Sequence, residues 1–380
     1  MMSYEGTYGS LQIEQRTLFR RIDFNLVIVM LCLNLIGLIN LYSATHGPQD
    51  LDVQSLFIQQ LVWLAVGWGI FFIGTFVDYS FVHRIVYVVY ALNLGAVLYV
   101  TFFGKVALGA QRWIDFGFFR YQPSETMKLA CILILAKVLS HKNTTGKGMG
   151  FRELILPFML VLIPFGLVVE QPDLGTASMI AAISGSMILF VKVKKSILLT
   201  SVLAAAIALP LAWNFGLREY QKNRIYTFIS PDSDPRGTGY NSIQSRIAVG
   251  SGQILGKGFR QGTQSQLEFL PERHTDFIYS VLSEEHGFVG SMITVIFFML
   301  LFMFCIRIAS FARDKFGALL VVGVSCYVFW HMFVNIGMVI GLLPIVGVPL
   351  PLLSYGGSSM LTTMCGLGLV SSVAYRRYFF

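Results

Sequence analysis

An aspartate followed by small polar residues at helical spacing is the first place where chemistry is expected. If a helix starts near Asp276, then Ser280, Ser283 and Gly287 fall on the same stripe as Asp276 at about 100° per residue. Such a stripe on an otherwise apolar helix faces protein or water rather than lipid. We expect Asp276 to act as a general base. The alternative is that its carboxylate only caps the helix.

A second cluster, residues 122–128, opens another apolar segment with proline, serine and two opposite charges. Glu125 and Lys128 are three residues apart and therefore share a helix face. Ionisable residues in a membrane segment are functional candidates by default. This pair indicates a charged wall of a cavity. The alternative is a structural ion pair that holds the helices together.

A third candidate is the dipeptide Arg112-Trp113, which precedes the second cluster. The guanidinium fork of Arg112 matches the oxygens of a diphosphate. Trp113 either stacks on a sugar or sits at the membrane interface, where tryptophan is enriched.

The fourth candidate is the segment 349–359, in which two prolines precede paired glycines. Non-helical backbone at membrane depth is tolerated only where it is buried or lines a cavity. Ser354 and the backbone amides of Gly356 and Gly357 are therefore candidate substrate contacts, because successive amides can bind an anion.

Two weaker patterns favour ordinary structure. Asp232 and Asp234 resemble the Asp-x-Asp motif of metal-dependent glycosyltransferases, but prolines flank them on both sides, which is typical of a turn. No metal site is predicted, because the histidines are scattered without ligand spacing. None of the five cysteines forms a Cys-x-x-Cys pair.

The elements that must position these residues are membrane helices. The chain has 380 residues, of which 55% are hydrophobic and only 13% charged, with a mean hydropathy of +0.67. Soluble domains carry about 25% charged residues. We therefore predict a polytopic all-α membrane protein. Its net charge of +8 is attributed to cytoplasmic loops rather than to nucleic-acid binding.

Ten apolar segments are long enough to be spanning helices, which need about 20 residues. The predicted spans are 24–43, 57–77, 82–103, 122–140, 154–170, 174–191, 196–215, 277–304, 317–341 and 352–375. Together they form one membrane domain over 1–380, in which no internal sequence repeat is found.

The distribution of lysine and arginine predicts the orientation, because cytoplasmic loops collect both. With the N-terminus inside, the short outside loops hold three basic residues, Lys105, Arg112 and Arg120. The inside segments hold fifteen: Arg16, Arg20, Arg21, Arg84, Lys142, Lys147, Arg152, Lys192, Lys194, Lys195, Arg307, Arg313, Lys315, Arg376 and Arg377. Both termini, including residues 1–23, are therefore predicted to be cytoplasmic.

The long loop 216–275, between the seventh and eighth spans, is then extracytoplasmic. Its apolar residues lie near Arg246 and Lys257. That mixture predicts short helices on the membrane surface.

Seven short motifs, in order, resemble the SEDS family (shape, elongation, division and sporulation). They are 109–113 (Gly-Ala-Gln-Arg-Trp), 122–125 (Gln-Pro-Ser-Glu), 171–176 (Gln-Pro-Asp-Leu-Gly-Thr), 239–245 (Gly-Tyr-Asn-Ser-Ile-Gln-Ser), 256–258 (Gly-Lys-Gly), 270–277 (Leu-Pro-Glu-Arg-His-Thr-Asp-Phe) and 354–359 (Ser-Tyr-Gly-Gly-Ser-Ser). The run 261–266 resembles the family's elongation members more than its division members.

This resemblance implies a peptidoglycan glycosyltransferase in the bacterial inner membrane that polymerises lipid II onto a nascent glycan chain. It also implies a class B penicillin-binding protein as transpeptidase partner, within the elongation machinery. Asp276 matches the family's catalytic position, and Glu125 and Lys128 match residues thought to line the same cavity. The other substrate-binding candidates in and beside these motifs are Arg112, Trp113, Arg246, Lys257, Arg273, His274, Ser354, Gly356 and Gly357.

The chemistry is a single inversion, which turns an α-linked donor into a β-1,4 bond. One carboxylate can take the proton from the acceptor hydroxyl. The leaving undecaprenyl diphosphate needs cationic stabilisation, for which Lys128, Arg112, Arg246, Arg273 and a divalent cation (Mg²⁺ or Mn²⁺) are candidates.

Three other functions remain open at this point. A lipid II flippase would handle the same substrate without chemistry, but the charges predicted within the membrane crowd its outer half. An ion-coupled transporter would show inverted repeats and broken helices, and neither is predicted. A non-catalytic scaffold of the elongation machinery would give no reason for the polar stripe that follows Asp276.

Overall fold

Ten long helices dominate the computed structural model, which describes residues 22–46, 51–107, 110–117, 119–141, 148–216, 218–231, 239–267 and 269–377. Each of the ten overlaps one predicted span. They are α1 (Phe24–Thr45), α2 (Leu51–Phe76), α3 (Tyr79–Phe103), α4 (Pro123–Ser140), α5 (Phe151–Glu170), α6 (Leu174–Phe190), α7 (Lys195–Leu211), α11 (Ile278–Ser310), α12 (Lys315–Val339) and α13 (Gly357–Arg376).

Seven of the ten are long and apolar enough to cross a membrane by length and composition alone. Helices α6 and α7 are shorter, and α4 carries Glu125, Lys128 and Lys137. Large apolar side chains such as Leu92, Phe102 and Ile207 are exposed on the outward faces. Surfaces of that kind are typical of a protein that lies in lipid.

Helix α4 lies at the centre of the bundle. Almost all of its side chains are buried, because α3, α6, α12 and α13 surround it. The helix begins with Pro123 in its first turn, where a missing N–H donor has no consequence. Its central place explains how a charged helix can exist in an apolar bundle.

The first and last described residues lie together with the α2–α3 connection at one end of the bundle, here called the terminal end. Arg377 lies 3.4 Å from Asp23, and Arg376 donates to the carbonyls of Thr75 and Phe76. This arrangement fits an even number of spans between Asp23 and Arg377.

The opposite end, here called the Asp276 end, carries a small antiparallel sheet between α3 and α4. Its strands are β1 (Lys105–Ala107), β2 (Ala110–Asp115) and β3 (Arg120–Tyr121), in the order β1-β2-β3. Ser358 at the start of α13 accepts a hydrogen bond from the backbone of Gln122, at 3.2 Å. The sheet therefore lies beside the segment that enters α13.

The long predicted loop contains helices, as expected from its mixed composition. They are α8 (Glu219–Ile229), α9 (Tyr240–Ser251) and α10 (Thr263–Gln266). The buried face of α9 packs on the bundle rather than lying free, because Ser245 donates to the carbonyl of Val339 at 2.7 Å and pairs with Ser280 at 3.1 Å.

The start and the continuity of helix α11 both differ from the sequence prediction. Asp276 lies just before the helix rather than in it, since α11 begins at Ile278. The helix is also broken at Gly287, whose φ of 63° and ψ of −159° are not helical. The sequence shows no proline there, and no broken helix is predicted from it.

The break is closed by the segment 253–258, which inserts into the interrupted hydrogen-bond ladder. Four backbone groups that the break releases find partners in this segment, through Lys257 N to Glu284 O (3.0 Å), Gly258 N to Glu285 O (3.0 Å), Phe288 N to Gln253 O (2.9 Å) and Val289 N to Ile254 O (3.1 Å). A glycine is required at 256, because a Cβ there would collide with the carbonyl of Glu285.

The side of the membrane on which each end lies can be tested with two exposed positions. Glu219 is on α8 at the Asp276 end, and Ser196 is exposed at the start of α7 at the terminal end. We expect Glu219→Cys to react with a membrane-impermeant thiol reagent in intact spheroplasts, in a background whose five native cysteines are replaced by alanine. Ser196→Cys should react only after permeabilisation. The reverse pattern would invert the predicted topology.

Candidate active site

Asp276 lies in a segment whose backbone is held from three directions. The carbonyl oxygens of three successive residues each accept a hydrogen bond from a distant part of the chain: Tyr355 N to His274 O (3.0 Å), Ser354 Oγ to Thr275 O (2.7 Å) and Asn335 Nδ2 to Asp276 O (2.9 Å). Two residues further on, Asn40 of α1 donates to the carbonyl of Ile278 at 2.7 Å. The position of the aspartate is therefore set by α1, α12 and the segment before α13.

The carboxyl group of Asp276 has a pKa raised to about 7. Burial is the largest cause, and the negative charges of Glu272 and Asp173 act in the same direction, while Arg224 opposes them. A base with a pKa near neutral can accept a proton at physiological pH. The carboxyl group thus has the proton affinity that the predicted role requires.

A cavity of about 350 Å³ lies near Asp276, which is not itself among the lining residues. Arg224 lines this cavity and also lowers the pKa of the Asp276 carboxyl group. The cavity is lined by side chains of α8, α9 and the segment after α12, namely Asn223, Arg224, Thr227, Phe228, Asn241, Ser242, Leu343, Pro344 and Ile345. Its volume lies in the range of ligand pockets. Amides, hydroxyls, an aromatic ring and a guanidinium are groups that suit a sugar bearing phosphate.

The backbone from Ile345 to Gly347 connects the cavity to Asp276. Arg224 donates to the carbonyl of Val346 at 3.4 Å. Gly347 has a φ of 72°, and a Cβ there would lie 3.2 Å from Oδ2 of Asp276. The glycine therefore allows the close approach of the backbone to the carboxyl group.

The predicted pair Glu125–Lys128 forms an ion pair at 2.8 Å within the bundle. Lys128 also contacts Nε2 of His331 on α12 at 2.7 Å. Both charged side chains are buried, and Oε2 of Glu125 has no hydrogen-bond partner among the described residues. Neither these two residues nor Asp276 are among those that line the cavity. The pair and Asp276 form separate halves of the predicted site, and each half contacts α12.

Arg112 anchors the joint between α5 and α6. Its guanidinium donates to the carbonyls of Gln171 and Pro172 and lies 3.9 Å from a carboxylate oxygen of Asp173. Asp173 is one of the charges that raise the pKa of Asp276, so Arg112 lies near that site. Trp113, its neighbour on β2, is half-buried.

The segment 349–356 is unwound as predicted, and its polar groups bond to protein. Ser354 Oγ accepts from Leu350 N and donates to Thr275 O, while Gln60 bonds both the carbonyl of Ser354 and the amide of Gly356. The Gly356 amide, predicted to bind an anion, thus has a protein acceptor. Gly357 packs against the ring of Trp63, which leaves no room for a Cβ.

Two of the predicted cations bind protein atoms. Lys257 pairs with the buried Glu284 at 2.7 Å, and the buried Arg273 donates to the carbonyl of Ala44 at 2.9 Å. Lys257 thereby attaches the long loop to α11, and Arg273 attaches it to α1.

Arg246 and His274 remain close to the surface. Arg246 is exposed on α9, where its stem packs against Gly341. His274 lies edge-on to the ring of Tyr355 and 3.9 Å from Glu272. Burial and the charge of Arg273 lower the pKa of His274, and the charge of Glu272 opposes them.

Within the described ranges, no group of three or more His, Cys, Asp or Glu side chains could hold a metal ion. The involvement of Mg²⁺ or Mn²⁺ stays a prediction. The Asp232 and Asp234 motif lies outside the described residues.

Four residues of the site are not predicted from the sequence as site residues: Asp173, Arg224, His331 and Asn335. A buried asparagine and histidine within the apolar α12 carry a signal, since polar residues in membrane helices face the interior. Arg224 carries none, because it lies in a polar stretch without pattern.

A family model described as a cell cycle protein, FTSW_RODA_SPOVE, matches residues 24–378 of the chain. Over 279 residues the chain is 44% identical to peptidoglycan glycosyltransferase MrdB of Escherichia coli (strain K12), with 73% of this chain and 74% of that protein covered. It is 36% identical over 367 residues to stage V sporulation protein E of Bacillus subtilis (strain 168), with 94% and 98% covered.

Two solved structures are similar over nearly the whole chain. One, described as "Structural coordination of polymerization and crosslinking by a peptidoglycan synthase complex", has a TM-score of 0.81 at 29% identity, with 94% of this chain and 98% of that chain covered. The crystal structure of the rod shape determining protein RodA of Thermus thermophilus has a TM-score of 0.70 at 27% identity, with the same coverage.

The buried ion pair generates a prediction about stability. Lys128→Met leaves the Glu125 carboxylate buried without its cation, and Glu125→Gln leaves the ammonium without its anion. Each should lower the free energy of unfolding by about 3–5 kcal/mol, measured by thermal denaturation in detergent. The double variant should recover most of that loss, because a neutral pair has no uncompensated charge. Losses that simply add in the double variant would contradict the pairing.

Proposed function

The chain belongs to the FTSW_RODA_SPOVE family of cell cycle proteins, and we propose that it is a peptidoglycan glycosyltransferase that polymerises lipid II during cell elongation. The resemblance found in its sequence motifs is thereby confirmed. It is a multi-pass protein of the bacterial inner membrane. One observation carries the proposal for the site, namely a clamped aspartate with a pKa near 7 that interacts with Arg224, a residue lining the nearby cavity.

Asp276 acts as the general base in one inverting displacement. Its carboxylate takes the proton from the 4-hydroxyl of the acceptor GlcNAc, whose oxygen attacks the anomeric carbon of the donor. The bond from that carbon to the undecaprenyl diphosphate breaks on the opposite face. The diphosphate leaves as a stable anion, so a second, acidic carboxyl group is not needed.

The growing charge on the diphosphate needs cations in place before the reaction. Arg224 lines the cavity, and Arg246 lies on the adjoining helix α9. Both are better placed for this role than Lys257 and Arg273, whose cationic groups bond to Glu284 and Ala44. We assign the phosphate contact to Arg224 first.

A transpeptidase partner follows from the likeness to a peptidoglycan synthase complex of polymerisation and crosslinking. We propose a class B penicillin-binding protein in this role, acting within the elongation machinery. The reaction takes place outside the membrane, so lipid II must be flipped first and no cytoplasmic nucleotide is required. The names of the relatives favour this enzyme over a flippase, a transporter or a scaffold.

The proposed base is tested by Asp276→Asn, assayed on purified lipid II with the partner protein in detergent. We expect polymerisation to fall by about 10²–10⁴-fold, the typical contribution of a general base. The raised pKa means that the ionised carboxylate lowers folding stability as pH rises from about 4 toward 7. The variant should therefore be at least as stable as the wild type at pH 8. Polymerisation within a few-fold of wild type would refute the role of Asp276.

The electrostatic environment of Asp276 generates a pH prediction. The base must be ionised, so kcat/KM should rise with pH through a midpoint near 7. Glu272→Gln removes a negative charge that raises this pKa, so the midpoint should move to lower pH. Arg224→Gln removes the opposing cation, so the midpoint should move to higher pH. Shifts of both midpoints in the same direction would show that another group limits the rate.

A further inference from the structure

One buried face of α12 carries three polar residues at four-residue spacing, Tyr327, His331 and Asn335. Residues four apart lie on the same side of a helix. All three side chains are buried within an otherwise apolar helix. Tyr327 pairs with Thr363 of α13 at 3.2 Å, whereas His331 and Asn335 contact residues of the site.

Asn335 holds the catalytic half. Its Nδ2 donates to the carbonyls of Asp276 (2.9 Å) and Val348 (2.7 Å), so both hydrogens of the amide are used. The orientation of the amide follows from this pattern, because carbonyl oxygens only accept. Asn335 thus ties the start of α11 to the segment that brings Gly347 against the Asp276 carboxyl group.

His331 holds the other half. Its Nδ1–H donates to the carbonyl of Tyr327 at 2.8 Å, and Nε2 lies 2.7 Å from the ammonium of Lys128. A carbonyl only accepts and an ammonium only donates, so the ring is neutral and Nε2 is the acceptor. Two of the three hydrogens of Lys128 are thereby directed to His331 and Glu125.

We propose that His331 and Asn335 are positioning residues, through which one face of α12 sets the Lys128–Glu125 pair and Asp276 at a defined separation. The proposal rests on the proposed function, since it assigns roles around the same reaction. His331 contacts Lys128, and Asn335 contacts the backbone carbonyl of Asp276.

Packing alone does not explain these residues. Leucine would fill the same space in an apolar helix without the desolvation of an amide or imidazole. In some proteins a buried polar group is retained because it specifies one arrangement of the fold. In the described residues, the amide of Asn34 on α1 is also buried but makes no hydrogen bond. It provides a control for the loss of a buried asparagine as such.

The test compares Asn335→Leu with Asn34→Leu in the full-length protein and its partner. We expect Asn335→Leu to lower kcat on lipid II by about 10–100-fold with KM nearly unchanged, because a shift of about 1 Å at a reacting group costs about that much. Asn34→Leu should keep kcat within threefold of wild type. Equal kcat values for the two variants would overturn the role of Asn335.

His331 is tested with two substitutions. His331→Leu removes one of the two acceptors of the Lys128 ammonium and leaves Glu125 as the other, so the ammonium is less well positioned and kcat should fall at least tenfold. His331→Gln offers an amide oxygen in the same direction and should restore part of the loss. A Leu variant with wild-type kcat, or no difference between Leu and Gln, would overturn the role of His331.

A readout that does not need turnover separates this proposal from the proposed function. Asp276 is titrated by the pH dependence of its carbodiimide labelling, followed by mass spectrometry. The midpoint should move in Asn335→Leu, whose Asp276 shifts relative to Arg224 and Glu272, and should stay in Asn34→Leu and His331→Leu. An unmoved labelling midpoint in Asn335→Leu overturns the positioning role of Asn335, whether or not the wild type forms polymer. Failure of the wild type to form polymer is a different outcome, and it refutes the proposed function.

If Asn335→Leu does not fold, Asn335→Gln takes its place. Glutamine keeps both donor hydrogens on a chain one methylene longer, so Asp276 is displaced while the fold is kept. We expect a lower kcat and a moved midpoint. A wild-type kcat with an unmoved midpoint would again overturn the role of Asn335.

Discussion

The constraint on which the site depends is that backbone N–H and C=O groups in an apolar bundle must find partners. An unsatisfied group in such surroundings costs several kcal/mol. Helix α11 creates this demand twice, at the break at Gly287 and in the segment that precedes Ile278. The first is met by the inserted segment 253–258, which fixes the long loop to the bundle. The second is met by Asn335, Ser354, Tyr355 and Asn40, which fixes Asp276.

The same demand explains why several predicted substrate contacts bond to protein atoms. Lys257 neutralises the buried Glu284 beside the break, and Arg112 binds the exposed carbonyls of the joint before α6. Their positive charges are thereby committed to the fold. The charged side chain among the residues that line the cavity is Arg224 of α8, and α9 also contributes lining residues. A cation bonds to protein where the fold leaves a carbonyl or a buried carboxylate without another partner, and a cation elsewhere can face the substrate.

The sequence predicts what depends on neighbours along the chain. The ten long helices follow from the apolar segments, the Glu125–Lys128 contact follows from a spacing of three, and the unwound segment 349–356 follows from its prolines and glycines. The break at Gly287 does not follow, because a helix carrying one glycine is ordinary. What makes it a break is a segment some 30 residues earlier that supplies the missing partners. The roles of Asn335 and Arg224 are not predicted from the sequence for the same reason. Asn335 bonds Asp276 across 59 residues, and Arg224 bonds Val346 across 122.

The clamp on Asp276 acts on its backbone, and this choice of atoms has a chemical consequence. Hydrogen bonds donated to a carboxylate stabilise its charge and lower its pKa, which would make it a poor base. Asn335, Ser354 and Tyr355 donate to the carbonyls of residues 274–276 instead. They hold the side chain in place, while burial and the charges of Glu272 and Asp173 still raise its pKa to about 7. Position and basicity are therefore set by different groups, so that a rigid site can also contain a base with the proton affinity that abstraction from a sugar hydroxyl needs.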